Sequence, residues 1–274
     1  MKFRLFALLT ICGFAIFALT MTFAPLLPGW ANGAVRVGFL IVFGALWLAA
    51  REGSTLGRFR PVFFAYFAAV FSLSLGFYLA DKGLELFGLT TRTPVGIAMA
   101  KFLQASLIVI GILAVAKLSG QNLASLYIRK GRLLLGLGVG VFAAALLTFL
   151  SLHQPAVTAL GTAKLLSLAP WIALFVLSNA FMEELLFRGL FLGRYETLIG
   201  KWLAILSTAL AFTLAHMQVT YAPQMAVFLL VTFVFSLAWA WLMQKTNSLW
   251  GSVLFHAGAD LLIIIPIFIS LGAV

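Results

Sequence analysis

A bundle of membrane-crossing α-helices is the fold class this sequence predicts, and three observations predict it. Apolar stretches recur at lengths near 20 residues, roughly what an α-helix needs to cross about 30 Å of hydrocarbon. Charge is scarce: 64% of the residues are hydrophobic and 9% charged, where a soluble domain carries roughly a quarter. Connections rich in Lys and Arg alternate along the chain with poorer ones. The expectation is an all-α, polytopic transmembrane helical bundle of eight to nine spans.

Taken in order, nine spans are read at about 5–27, 35–50, 61–80, 95–116, 133–151, 166–192, 202–220, 223–243 and 247–270, the second and seventh being short and weak. Lys2 and Arg4 ahead of an apolar run resemble a signal peptide that would be cut near Ala31 or Ala34. The run from Leu5 to Phe23 exceeds the usual 7–15-residue signal core, so a retained helix is expected. With the N-terminus in the cytoplasm, the inside loops carry Arg51, Arg58, Arg60, Lys117, Arg129, Lys130, Arg132, Arg194, Lys201 and Lys245. The outside loops carry Arg36, Lys82, Arg92 and Lys164. That asymmetry is the sense of the positive-inside rule. It predicts a multi-pass cell-membrane protein in contact with membrane lipid; short loops and small size point to a bacterial inner membrane.

Residues 120–132 are the clearest composition shift. They read as a short cytoplasmic segment, with amphipathic-helix character, dividing an N-terminal transmembrane segment of four spans (1–120) from a core of five (121–274). Leu84 to Gly88 reads as another short interfacial helix. Gly136-Leu-Gly-Val-Gly140 lies inside an apolar span without the strand and downstream acid of a phosphate-binding loop, so close helix packing is expected there. Pro170 is expected in the first turn of the sixth span. The net charge of +11 is scattered between apolar segments and forms no stripe, which speaks against nucleic acid. Cys12 is alone, which excludes a disulfide or thiolate metal cage within the chain.

Polar residues of the last five spans fall in three places: Glu183-Glu184…Arg188, Phe212…His216 and His256…Asp260. Ionisable side chains at membrane depth are costly and usually serve function. Counting about 1.5 Å of rise per residue from the nearest basic loop puts all three groups in one slab near the bilayer centre. Glu184 and Arg188, four apart, form a favourable helical ion pair with the acid on the N-terminal side. Glu184 is therefore assigned a supporting role, and Glu183 is left facing the cavity as a general base. His256 and Asp260 are also four apart, a spacing that lets the carboxylate orient the imidazole. His216 has no local acid. His153, in a loop, is expected to be solvated.

These three motifs resemble the CAAX-prenyl-protease and bacteriocin-processing (abortive-infection) family of intramembrane glutamate proteases. That family's pattern, Glu-Glu-x-x-x-Arg, then Phe-x-x-x-His, then His-x-x-x-Asn or Asp, is met in order, and the resemblance covers about residues 125–270. It implies a catalytic core in the C-terminal half that hydrolyses a peptide bond in a membrane-associated peptide or protein, lipid-anchored ones included. Glu183 would be general base, His216 would position the water, and His256 with Asp260 would support the tetrahedral intermediate. Glu184, Arg188 and Phe212 would be supporting residues, and no cofactor is implied. The prenyl proteases carry asparagine where Asp260 stands; an ionised aspartate would repel an oxyanion, so Asp260 either orients His256 or is protonated.

Other readings stay open on sequence. A zinc protease would use His216, His256 and a carboxylate, an adequate ligand set, although the His-Glu-x-x-His helix of zinc proteases is absent. A non-catalytic immunity or scaffold protein would keep the fold without the reaction. A proton-coupled transporter would need a polar path on both sides of the slab, and the outer halves of the seventh and ninth spans offer little.

Overall fold

The computed structural model describes residues 2–20, 27–219, 221 and 224–272. Helix ends fall where local chemistry stops or starts them. The Thr93 hydroxyl accepts from the Gly96 N–H at 3.0 Å, with Pro94 as first helical residue, and α4 (Pro94–Leu118) begins there. Gly88, at φ +62°, follows the end of α3 (Arg60–Leu86). Ahead of them stand α1 (Lys2–Thr20) and α2 (Gly29–Ala49). After them come α5 (Leu133–Leu152), the single turn α6 (Pro155–Thr158), α7 (Thr162–Glu183), α8 (Leu192–Ile199), α9 (Lys201–Ala215), α10 (Met225–Thr246) and α11 (Trp250–Gly272). Among the described residues there is no strand. Eight helical passages among the described residues are long and apolar enough to cross a membrane.

The passage expected as the seventh span departs from that rule. α9 has 15 residues, about 22 Å of helix, short of the ~30 Å hydrocarbon core. It gives way at His216–Gln218 to a tighter turn and then to extended backbone at Val219. The direction of the chain nevertheless alternates as nine passes would make it. Thr10 meets Ser207 and Gly13 meets Ala211, so α1 and α9 run parallel. His216 meets Phe228 while Phe212 meets Trp239, so α9 and α10 are antiparallel. Gly136 and Gly140 lie on Gly251, and Ala144 on Gly258, so α5 and α11 run parallel.

That last seam shows why small residues hold the bundle. A Cβ on Gly140 would stand 2.5 Å from the Gly251 carbonyl oxygen, and one on Gly251 would strike the Gly136 carbonyl. The glycines let two backbones approach where larger side chains would hold them apart. Of the first four helices, α1, α3 and α4 press directly on the rest. α1 packs on α8 and α9, where the Tyr195 hydroxyl donates to the Leu9 carbonyl at 3.2 Å. α4 packs along α7.

Several expectations are revised. Leu84 to Leu86 are the last turn of α3, not a separate helix, because nothing before Gly88 interrupts the ladder. α2 starts at Gly29 and is a full 21 residues, longer than the sequence suggested. Pro170 lies inside α7, which begins at Thr162. Residues 120–132 hold one tight turn, Leu123–Leu126, capped by the Asn122 side chain and closed by left-handed Tyr127, rather than an amphipathic helix. Arg36, counted as a loop charge, is buried within α2; it donates to Asn32 Oδ1 at 2.6 Å and to the Thr20 carbonyl at the C-terminal end of α1, a favourable place for a cation. Residues 21–26 of the first expected span, Thr220 of the seventh and Pro223 at the start of the eighth lie outside the described residues.

Candidate active site

Glu183 ends α7, and there the helix changes register. Glu184–Gly189 form a π-helical turn in which the Leu190 N–H donates to the Leu185 carbonyl, five residues back, at 3.0 Å. Such wide turns often occur at functional sites. Both neighbouring glutamates reach the same imidazole. Glu184 Oε1 accepts from His256 Nδ1 at 2.8 Å, and Glu183 Oε2 lies 3.4 Å from His256 Nε2. Asp260, one turn along α11 from His256, brings Oδ1 to 3.5 Å from the same Nε2. A carboxylate only accepts, so Nδ1 carries a proton directed at Glu184. At Nε2, two acids and a ring nitrogen attract one another only if a proton lies among them.

Glu184 and Arg188 are paired at 2.9 Å, with no exposed surface on either side chain. Arg188 also donates to Ser236 Oγ on α10 at 2.5 Å, and its guanidinium lies over the Phe212 ring at 4.3 Å. This cation is walled off from the cavity beside Glu183. Glu184 therefore does more than neutralise Arg188: it holds the ring of His256. Sequence reasoning gave that orienting role to Asp260. Asp260 instead shares Nε2 with Glu183 and accepts from the Asn179 amide at 3.0 Å.

His216 sits at the end of α9, where its Nδ1 donates to the Phe212 carbonyl at 2.8 Å. The same hydrogen bond satisfies a carbonyl near the end of the helix and leaves Nε2 as the lone-pair nitrogen of the neutral ring. Phe212 is edge-on to His256 at 5.7 Å and to Phe187 at 4.8 Å. Trp239 on α10 stacks on His256 at 3.9 Å with an interplanar angle of 8°.

Glu183, His216, His256 and Asp260 line one cavity of about 300 Å³, with largely apolar walls from α7, α9, α10 and α11. His153, by contrast, is exposed and bonded to the Phe149 carbonyl. Three polar residues of the cavity or its edge had gone unread. Asn179 stands one turn before Glu183 and so shares its face, a spacing visible in the sequence. Lys101 on α4 was legible as an isolated cation in an apolar run. Tyr221 had no signal. Both nitrogens of His256 face carboxylates, and among the described residues no three His, Cys, Asp or Glu are grouped as a metal site needs.

Comparison with known proteins agrees with this geometry in one respect. Residues 165–262, from α7 into α11, match the family model described as Rce1-like, type II CAAX prenyl endopeptidase Rce1-like. No curated protein and no solved structure matches the chain. The matched stretch contains both glutamates, Arg188, both buried histidines and Asp260. Over residues 165–262 the chain is thus similar to the type II CAAX prenyl endopeptidases.

Proposed function

We propose that the protein is an intramembrane endopeptidase that hydrolyses a peptide bond in a membrane-associated peptide or protein, with Glu183 as the water-activating base. The family match supports proteolysis in general. The observation that carries the finer reading is Glu183 itself: 4% exposed, on an apolar cavity, and 3.4 Å from an imidazole whose other nitrogen is fixed by a second buried carboxylate. Nothing in such packing requires a second acid beside the Glu184–Arg188 pair, and a carboxylate there costs desolvation.

In this reading a water bound between Glu183 and His216 gives a proton to the Glu183 carboxylate as its oxygen attacks the scissile carbonyl. The carbonyl π electrons move to oxygen, where the proton held at His256 Nε2 stabilises the oxyanion. Asp260, tied back by Asn179, keeps that proton in place. When the intermediate collapses, the C–N bond breaks and Glu183 returns its proton to the leaving amine. Such acid–base transfer contributes typically 10²–10⁴-fold. The end of the bundle bearing Lys117, Arg129 and Lys245 is read as cytoplasmic on the positive-inside bias. A lipid anchor on the substrate fits entry from the bilayer.

The test is membrane proteomics of cells carrying wild type or Glu183→Ala at equal protein level. Carboxy-terminal fragments that vanish with the variant support the reading. Identical fragment sets overturn it and favour a non-catalytic scaffold.

A further inference from the structure

The cavity has a direction. Its lining residues on α7 end at Glu183, those on α10 end at Trp239, and those on α11 begin at His256. α7 and α11 run antiparallel, since Glu183 meets His256, Asn179 meets Asp260 and Phe175 meets Phe268. α10 turns back into α11 through left-handed Asn247, so these two are antiparallel as well. From the plane of Glu183, Trp239 and His256, the cavity therefore extends toward the starts of α7 and α10 and the end of α11. Exposure rises the same way. Among the described lining residues Tyr221, just ahead of α10, is 46% exposed and Val231, in its second turn, 42%, against 3% for Trp239 and 2% for His256. Toward the other end the cavity is plugged by Arg188, which lies over Phe212 and donates to Ser236.

Charge divides the two ends. The open end carries Lys82, Arg92 and Lys164, with Asp81 and Glu85 among them. The plugged end carries Arg51, Arg58, Arg60, Lys117, Lys130, Arg132 and Lys245, against Glu52 and Glu196. An excess of Lys and Arg in short loops marks the cytoplasmic side. We propose that the catalytic cavity opens on the non-cytoplasmic face, so that the substrates are membrane-anchored peptides or proteins whose scissile segment lies on that side. The proposal rests on the peptidase reading and names its substrate class. Val231 stands six residues into α10, about 9 Å below its start, so the mouth faces the outer leaflet as well as water. From Val231 to Trp239 is eight residues, about 12 Å of helix, a drop that about four residues of extended chain span. A segment beside a membrane anchor can thus reach Glu183 while its anchor stays in lipid.

Sidedness is measured without a known substrate. The full-length chain with Cys12→Ala receives one cysteine at a time: Tyr221→Cys or Gln224→Cys at the mouth, Arg92→Cys at the open end, Lys130→Cys at the plugged end. Right-side-out and inside-out membrane vesicles are treated with a charged maleimide, which does not cross hydrocarbon. The mouth and Arg92 positions should label at least about tenfold faster in right-side-out vesicles, and Lys130→Cys faster in inside-out ones by a similar factor. The reverse pattern overturns the proposal, as does a mouth position that labels from the same side as Lys130→Cys. Two mouth positions keep the test alive if one variant fails to fold. Fragments that depend on Glu183 should be cut on the non-cytoplasmic side of their anchor, and cuts on the cytoplasmic side also overturn it. The expected labelling without any such fragments sinks the peptidase reading alone.

Discussion

Replacing Arg188 by methionine keeps the unbranched apolar stem and removes the charged guanidinium from the most enclosed ion pair of the site. At 2.9 Å, with neither side chain exposed, the attraction is about 6 kcal/mol at an effective dielectric of 20. The net loss is smaller, because the desolvation of Arg188 disappears with it. Removing one partner of a buried pair typically costs about 3–5 kcal/mol, since the remaining charge is left uncompensated. Glu184 keeps the bond from His256 Nδ1, which puts the expected cost near the lower figure. In detergent micelles, thermal unfolding should fall by roughly 6–12 °C at about 2–4 °C per kcal/mol. Adding Glu184→Gln to Arg188→Met removes the stranded charge while an amide oxygen still accepts from His256. The double variant should therefore be more stable than Arg188→Met alone, by at least about 1 kcal/mol of coupling. A double variant no more stable than the single one refutes the claim that Glu184 is held as a charged partner of Arg188.

Glu183→Gln should abolish fragment release, a drop of about 10²–10⁴-fold, without lowering the unfolding temperature; a destabilised protein would point to a packing role instead. Asp260→Asn retains an acceptor for the Asn179 amide and should leave measurable cleavage, whereas complete loss would make a carboxylate obligatory there. Gly251→Ala drives a methyl group into the Gly136 carbonyl and should cost at least about 1–3 kcal/mol in thermal unfolding. Gly138→Ala, with open space around it, is the control and should be near neutral.

Membrane character and the three polar groups were legible because both follow from local chemistry: apolar length for the spans, and the rarity of charge within them for the site. The Glu184–Arg188 pair was legible because four residues set a shared helix face, and that pair is present at 2.9 Å. The partner of His256 Nδ1 was not legible, since Glu184 reaches it across 72 positions from another helix. Trp239 stacks on His256, but a tryptophan in an apolar span carries no mark of its neighbour. The early end of α9 was hidden as well: residues 211–219 remain apolar enough to continue a span, yet the helix ends at Ala215.

The two irregular stretches of backbone explain one another. A π turn after Glu183 and a helix that stops at His216 both free backbone polar groups at membrane depth, where each unsatisfied group costs several kcal/mol. Here local hydrogen bonds satisfy several of them: Leu190 N–H to the Leu185 carbonyl, Val219 N–H to the His216 carbonyl, and His216 Nδ1 to the Phe212 carbonyl. Lipid is kept away by α1, whose Phe17 stacks on Phe187 of the π turn at 3.9 Å and whose Ala18 carbonyl accepts from the Gln218 amide. A regular pair of α-helices would not need that cover. It would also lack the wide turn at which Glu183 and Glu184 meet opposite nitrogens of His256. The helices outside the family-matched segment thus do physical work at the site, α1 as cover for its broken backbone and α4 as the source of a cation on its wall.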